Sequence, residues 1–354
     1  MKVKYLVLGQ MFLGFFALAQ RNMSPINQTS LQLNAVVTVT NSSDRFQSTV
    51  DFLDAAINSI SSFNSLIKKE TYRTKITSFN NPTSSDMGFN LENEIQTALK
   101  PLLAKTKSVN PNKFAAVVSS LVGNAPKTTT GTKQTAIGYT PVFSTLLGLV
   151  GTLTVQEKRI TREDLDSFIN TTSKYFVQYQ RLNDANALFD GAIDRVDSRL
   201  KDLQFDLKEY LLDMITILHK DLQRSALKNG NNEELFLKYL DGERKRTEAA
   251  PPSEECCIYP SDGIKAAKDI AYNLQKIFND YQKVYAENYG QVRSILTDAK
   301  TLGKNINLKQ VEASLKDLDQ LYADSKAADV LGLRLNTLFE RLKVLTLTEQ
   351  AIAK

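Results

Sequence analysis

The residues best suited to chemistry are few. The 354-residue chain has a single histidine, His219, and two cysteines, adjacent at Cys256-Cys257. His219 sits in LLDMITILHKDL, four residues after Ile215 and three before Leu222, beside an apolar stripe. That setting packs an imidazole against a helix face rather than poising it for catalysis. One histidine rules out a multi-histidine metal site. A Ser-His-Asp triad would need His219, and no G-x-S-x-G turn accompanies it. The cysteine pair lacks two further ligands at metal-binding spacing. Outside the cytoplasm the two thiols have three fates: a vicinal disulfide, an intermolecular disulfide, or free thiols. The vicinal form is strained, because neighbouring Cα atoms lie about 3.8 Å apart and disulfides prefer about 4.4–6.8 Å.

Phosphate-binding patterns are absent as well. Gly131-Thr-Lys133 and Gly303-Lys-Asn305 lack the remainder of a phosphate loop, and no GxGxxG or EF-hand spacing occurs. The carboxylate pairs Glu163-Asp164 and Glu254-Glu255 read as helix-start or solvated charges. The expectation is a non-enzymatic protein with no cofactor, no metal and no catalytic residue.

Two stretches carry a binding expectation instead. Phe278, Tyr281, Tyr285 and Tyr289 recur at helical spacing, with Tyr272 six residues before the first. Tyrosine combines apolar area with a polar tip, so this ridge is either core or a contact face for a glycan, peptide or protein. The second stretch, TPVFSTLLGLVGTLTV from Thr140 to Val155, contains no charge. Thr140-Pro141 reads as N-cap and first helical residue. Ser144, Gly148 and Thr152 form a small-residue face that allows close backbone approach, and Val142, Leu146, Leu149 and Leu153 form a bulky face. As a helix, Val142–Val155 spans about 21 Å, short of a hydrocarbon layer near 30 Å. A buried core helix is favoured over a membrane span.

The elements that hold these residues are helical. Trp is absent, and only 15 Gly and 9 Pro occur, a balance that favours long helices over a turn-rich β protein. The chain opens with Lys2 and Lys4, an apolar run from Tyr5 to Leu18, and Ala17-Leu18-Ala19. This is the pattern of a signal peptide, residues 1–19, cleaved after Ala19. The Lys-rich start and short apolar core point to bacterial export, to a periplasm or the cell exterior. Loss of Lys2 and Lys4 lowers the net charge from +5 to about +3. No dense basic stripe remains, so nucleic acid is not a partner.

Residues 20–43 read as an extended lead-in with a short strand near 35–40, and residues 44–250 as a helical bundle. Its first helix carries a heptad seam of Phe46, Val50, Leu53, Ile57, Ile60, Asn64 and Ile67, with Asn64 as a polar interruption. Asn80-Asn81-Pro82 ends it. A second helix from Asn90 is expected to bend or break at Pro101 and Pro111. Thr161-Arg-Glu-Asp164 resembles a capping box that opens one very long helix to about Lys228, with Gly191 as the place of an expected kink or break. A short helix over 233–246 and a Pro/Cys linker over 251–263 follow. Residues 264–354 form a C-terminal pair of long helices, roughly 264–302 and 307–348, packing on the same bundle.

Between Phe114 and Val155 the only charges are Lys127 and Lys133. The pattern is an apolar helical hairpin, about 114–155, with a basic polar tip on an otherwise amphipathic bundle. In order and length of elements this is loosely similar to helical pore-forming toxins of the cytolysin A kind. That resemblance implies an apolar tongue held on a soluble bundle until it meets a membrane. The fold class expected is all-α: an elongated antiparallel bundle of long, coiled-coil-like helices with this hairpin. The function expected is that of an exported structural or interaction protein that binds a protein partner or itself through helix faces. Membrane insertion through 114–155 is the alternative.

Overall fold

The computed structural model describes residues 42–67, 71–107, 109–123, 139–157, 159–218, 245, 261–303, 305–326 and 329–352. Every regular element among them is an α-helix: α1 Ser42–Ile67, α2 Thr71–Phe79, α3 Leu91–Leu103, α4 Pro111–Gly123, α5 Tyr139–Gln156, α6 Arg162–Leu218, α7 Ser261–Ala299, α8 Leu308–Lys326 and α9 Asp329–Ile352. The signal-peptide, lead-in and short-strand expectations lie outside the described residues. So do His219, Cys256, Cys257 and nearly all of the short helix and linker expected over 233–263.

The organising element is α6, 57 residues and about 85 Å long at 1.5 Å per residue. Its start is locally encoded. Thr161 Oγ1 accepts from the Asp164 N–H at 3.3 Å, and Asp164 Oδ2 accepts from the Thr161 N–H at 3.0 Å. This reciprocal cap works with Asp in the place usually held by Glu or Gln. The helix runs through Gly191 without interruption, so the expected break is not there.

Side-chain contacts fix how the other helices run against α6. Phe52 meets Tyr210, Arg73 meets Asp190 at 2.8 Å, and Asn186 donates to the Ile76 carbonyl at 3.1 Å. As numbers rise along α1 and α2 they fall along α6, so both lie antiparallel to it in one register. α7 is also antiparallel to α6, through Arg199–Asp280, Asn288 to the Ala185 carbonyl, and Arg181–Asp298. α8 and α9 run antiparallel to α2 and α1 in turn, through Lys75–Asp317 at 3.1 Å, Arg334 to the Asn58 carbonyl at 3.0 Å, and Arg341–Asp51 at 3.3 Å. The result is four columns of alternating direction: α1–α2, the C-terminal two-thirds of α6, α7, and α8–α9. Of the helix expected over 307–348, the structure describes Leu308–Lys326 and Asp329–Ile352, both helical.

At the other end, α3 and α5 pack on the N-terminal third of α6, and α4 packs on α3 and α5. Asn90 caps α3 by accepting from the Asn93 N–H at 3.0 Å. α3 runs through Pro101 and stops two residues later, and Pro111 opens α4, where its missing N–H costs nothing. The loop before α3 docks on the start of α8. Gly88 adopts φ +81°, and a Cβ there would lie 2.4 Å from Val311 Cγ2. Only glycine meets both demands. Its carbonyl accepts from the Asn307 N–H at 2.8 Å.

Along the seam of α1, Val50, Leu53, Ile57 and Ile60 are buried, and Asn64 and Ile67 are half-buried. The side chain of Phe46 lies outside the described residues. Phe52, Ala56 and Phe63 are buried too, because α1 touches α6, α7 and α9.

Candidate functional site

α5 has two faces of different fate. Val142, Leu146, Val150 and Leu153 are buried, and α5 lies antiparallel along α6, with Phe143 packed on Phe176 at 4.7 Å between ring centroids. The first residue of the helix, Tyr139, anchors it. Its hydroxyl donates to the Asn80 carbonyl at 2.7 Å and its ring meets Tyr179 at 5.3 Å. Burial pushes the Tyr139 phenol well above the usual tyrosine range. Thr140 is also held from α6, its N–H donating to Gln180 Oε1 at 3.2 Å.

The opposite face holds Ser144, Thr145, Gly148 and Thr152, all exposed, with Leu149 half-buried and Val155 85% exposed at its end. A Cβ added at Gly148 or Gly151 would meet open space. The small-residue face therefore does not receive another helix among the described residues, and the bulky face makes the helix contact instead. The reason is size: close approach along a glycine line is worth less here than burying four branched side chains against α6.

This face also asks little of water. Thr145 Oγ1 donates to the Pro141 carbonyl at 2.9 Å, Thr152 Oγ1 to the Leu149 carbonyl at 2.6 Å, and Thr154 Oγ1 to the Gly151 carbonyl at 2.7 Å. A hydroxyl whose proton is already given to its own helix carries a smaller desolvation cost. α4 continues the uncharged surface. Val118 and Val122 are buried, whereas Ala116 and Ser120 are exposed and Val117 is 51% exposed. Neither Phe114–Gly123 nor Tyr139–Gln156 contains a charged residue, in a chain that is 23% charged. α4 touches α5, but α4 also packs on α3, and α5 packs chiefly on α6.

The edge of this surface is charged and well tied. Glu157 is buried and accepts from the Lys107 N–H at 2.9 Å. Asp164 accepts from Lys105 Nζ at 2.5 Å, and that bond, joined by the Thr161 cap, holds its carboxyl below the usual range.

The tyrosine ridge is corrected by burial. Phe278, Tyr281 and Tyr285 lie inside, packed edge-on or tilted against Phe63, Tyr72 and Phe189, so they cannot serve as an external contact face. Tyr289 is half-buried and stacks on Tyr322 at 4.0 Å, with its hydroxyl donating to Asp319 at 2.7 Å. Tyr272 alone points outward, 66% exposed.

Beside the ridge lies a polar layer that sequence reasoning missed. Tyr72 donates to Asn288 Oδ1 at 2.8 Å, and Asn288 Nδ2 donates to the Ala185 carbonyl at 3.0 Å. Asn80 Nδ2 lies 3.4 Å from Asn183 Oδ1, and Asn186 joins α6 to α2. All four asparagines are buried. The available signal was Asn183 and Asn186 three residues apart on the apolar side of a helix. Such a layer favours one register over its neighbours, because a slip would strand buried amides. Asp190 sits beside it, its carboxyl pushed up by burial and pulled back by the Arg73 guanidinium.

Among the described residues, no group of three or more His, Cys, Asp or Glu side chains could hold a metal ion. No described helix is long and apolar enough to cross a membrane. Comparisons with protein-family models, curated proteins and solved structures return no match.

Proposed function

We propose that the chain is an exported, non-enzymatic interaction protein, built as an elongated bundle, whose contact surface is the uncharged outer face of α4 and α5. One observation carries this: a solvent-facing surface on two neighbouring helices without charge, whose threonine hydroxyls are spent on their own backbone. Uncharged exposed patches of this kind mark sites that meet another macromolecule. The export part rests on the Lys2/Lys4 start, the Tyr5–Leu18 apolar run and Ala17-Leu18-Ala19. The elongated part is supported by the shared register of α1–α2 along α6 and of α8–α9 along α2–α1. The non-enzymatic part rests on the lone histidine and the missing catalytic spacings.

The same face favours membrane insertion as a second reading. Back-bonded threonines are tolerated in lipid, and neither Phe114–Gly123 nor α5 has a charge to strip of water, Lys113 standing at the start of α4. Against spanning, the 18 residues of α5 reach about 27 Å, short of a hydrocarbon layer near 30 Å. The two readings part in a single comparison of the wild-type chain with Gly148→Asp. Protein contact predicts that a partner held from an envelope extract is lost on substitution while vesicles stay sealed. Insertion predicts dye release from liposomes that the substitution abolishes. Equal retention of a partner and equal inertness to vesicles in both chains would remove the face from consideration.

A further inference from the structure

We propose that Tyr289 and Tyr322 form an oxidative cross-linking site, at which the two rings join as dityrosine and staple α7 to α8. The oxidant is hydrogen peroxide acting through a haem peroxidase. The inference stands apart from the α4–α5 surface, because neither tyrosine lies on it. The rings stack at 4.0 Å between centroids, with 7° between their planes. At that separation the carbons of one ring start in van der Waals contact with those of the other. Two ion pairs, Arg293–Asp319 at 3.2 Å and Lys300–Glu312 at 3.6 Å, set α7 and α8 antiparallel in the register that makes this stack. Both tyrosines are half-buried, so each keeps an edge open to an oxidant in solution.

Proton release separates this pair from the other tyrosine pairs in ring contact among the described residues. Tyr281–Tyr285 at 4.5 Å, Tyr72–Tyr285 at 5.0 Å and Tyr139–Tyr179 at 5.3 Å are buried on both sides. A phenol gives up an electron readily only if its proton leaves too, and an apolar interior opposes the charge otherwise left behind. In the core, the Tyr72 and Tyr139 hydroxyls donate to neutral amide oxygens. The Tyr289 hydroxyl donates instead to Asp319 Oδ1 at 2.7 Å, a charge-assisted bond to a carboxylate. Burial, and then that carboxylate, hold the Tyr289 phenol above the usual tyrosine range, so its proton is present at neutral pH and moves with the electron. Asp319 takes the proton and, 43% exposed, passes it to water. Tyr322 then loses an electron to the same oxidant and a proton to water. The two phenoxyl radicals join through ring carbons ortho to their oxygens, and the hydrogens on those carbons shift to the oxygens to restore both phenols. In net terms two ring C–H bonds break and one C–C bond forms. The two electrons and two protons released reduce one hydrogen peroxide to two waters. The new bond constrains the unfolded chain as a disulfide does, but thiols do not reverse it.

The test treats the dilute full chain with a haem peroxidase and hydrogen peroxide, then maps the digested monomer by mass spectrometry. Wild type should yield the Tyr289 and Tyr322 peptides joined, lighter by two hydrogens than their sum, with dityrosine fluorescence in the monomer. Tyr289→Phe and Tyr322→Phe should each abolish that species, whereas Tyr272→Phe, at an exposed tyrosine of α7, should leave it unchanged. Asp319→Asn should slow its formation about tenfold or more, since a positioned proton acceptor contributes roughly 10²–10⁴-fold and water replaces part of it. Asp319→Glu should recover most of that rate, which a merely structural role for the aspartate would not require. The mapping is read on wild type, so it stands whether or not a variant folds. Absence of the joined peptides, dityrosine confined to other tyrosines, or a rate indifferent to Asp319→Asn would overturn the proposal and leave the α4–α5 reading untouched.

Discussion

Leu146 and Gly148 are two residues apart on α5 and should respond in opposite ways to the same substitution. Leu146 is 0% exposed on the face toward α6. Truncating such a leucine to alanine costs about 2–5 kcal/mol through lost burial and the cavity left behind. Asp adds the several kcal/mol of desolvating a buried carboxylate. Against a typical total of about 5–15 kcal/mol, Leu146→Asp should leave the α3–α5 end unfolded or the whole chain insoluble. Gly148 has open space where a Cβ would go. Asp is a slightly better helix residue than Gly, so Gly148→Asp should stay within about 0.5 kcal/mol of wild type. Urea titration followed by circular dichroism at 222 nm measures both. A Gly148→Asp loss above about 2 kcal/mol, or a Leu146→Asp protein of normal stability, would mean that α5 presents the other face to α6. The contact surface would then be wrongly placed.

Two further outcomes follow from the polar layer. Asn288→Leu should cost about 1–3 kcal/mol, because it strands the buried Tyr72 hydroxyl. Adding Tyr72→Phe should recover part of that loss in the same urea assay, and strictly additive losses would refute the pairing. Asp190 has a folded-state carboxyl raised above its ordinary range, so ionising it costs stability that is recovered as pH falls through that raised value. Wild type should therefore gain on Asp190→Asn between pH 7 and the ordinary carboxylate range. A flat difference, or a gain by the variant, would contradict the burial assigned to Asp190.

What could be read from sequence was local and periodic. The Thr161–Asp164 cap, the helix start at Asn90 and the apolar spacing of α1 all depend on residues within a few positions of one another, and each element is there. The seam of α1 was drawn too narrow. Phe52, Ala56 and Phe63 are buried alongside it because α1 has three helical neighbours, and a two-position stripe describes only one. On α5, Val142, Leu146 and Leu153 of the expected bulky face are buried, but Val150 takes the place expected for Leu149, and periodicity cannot say which face a partner will take. The area of Val142, Leu146, Val150 and Leu153 against α6 decided it. The tyrosine ridge of α7 was ambiguous for the same reason, and Phe63, Phe189 and Tyr72 from three other helices close over it. The asparagine layer escaped notice because a lone Asn on a helix is as common outside as inside, and only the register brings Asn80, Asn183, Asn186 and Asn288 together.

The claim that the α4–α5 face is the working surface is tested most directly by placing a photo-crosslinking residue there in the intact producing cell. Substitution at Gly148 should give a defined protein adduct on illumination, whereas the same residue at Gln282, exposed on α7, should give none. Adducts of equal yield from both positions, or none from position 148, would contradict the claim. A lipid adduct in place of a protein would transfer the same face to the membrane reading.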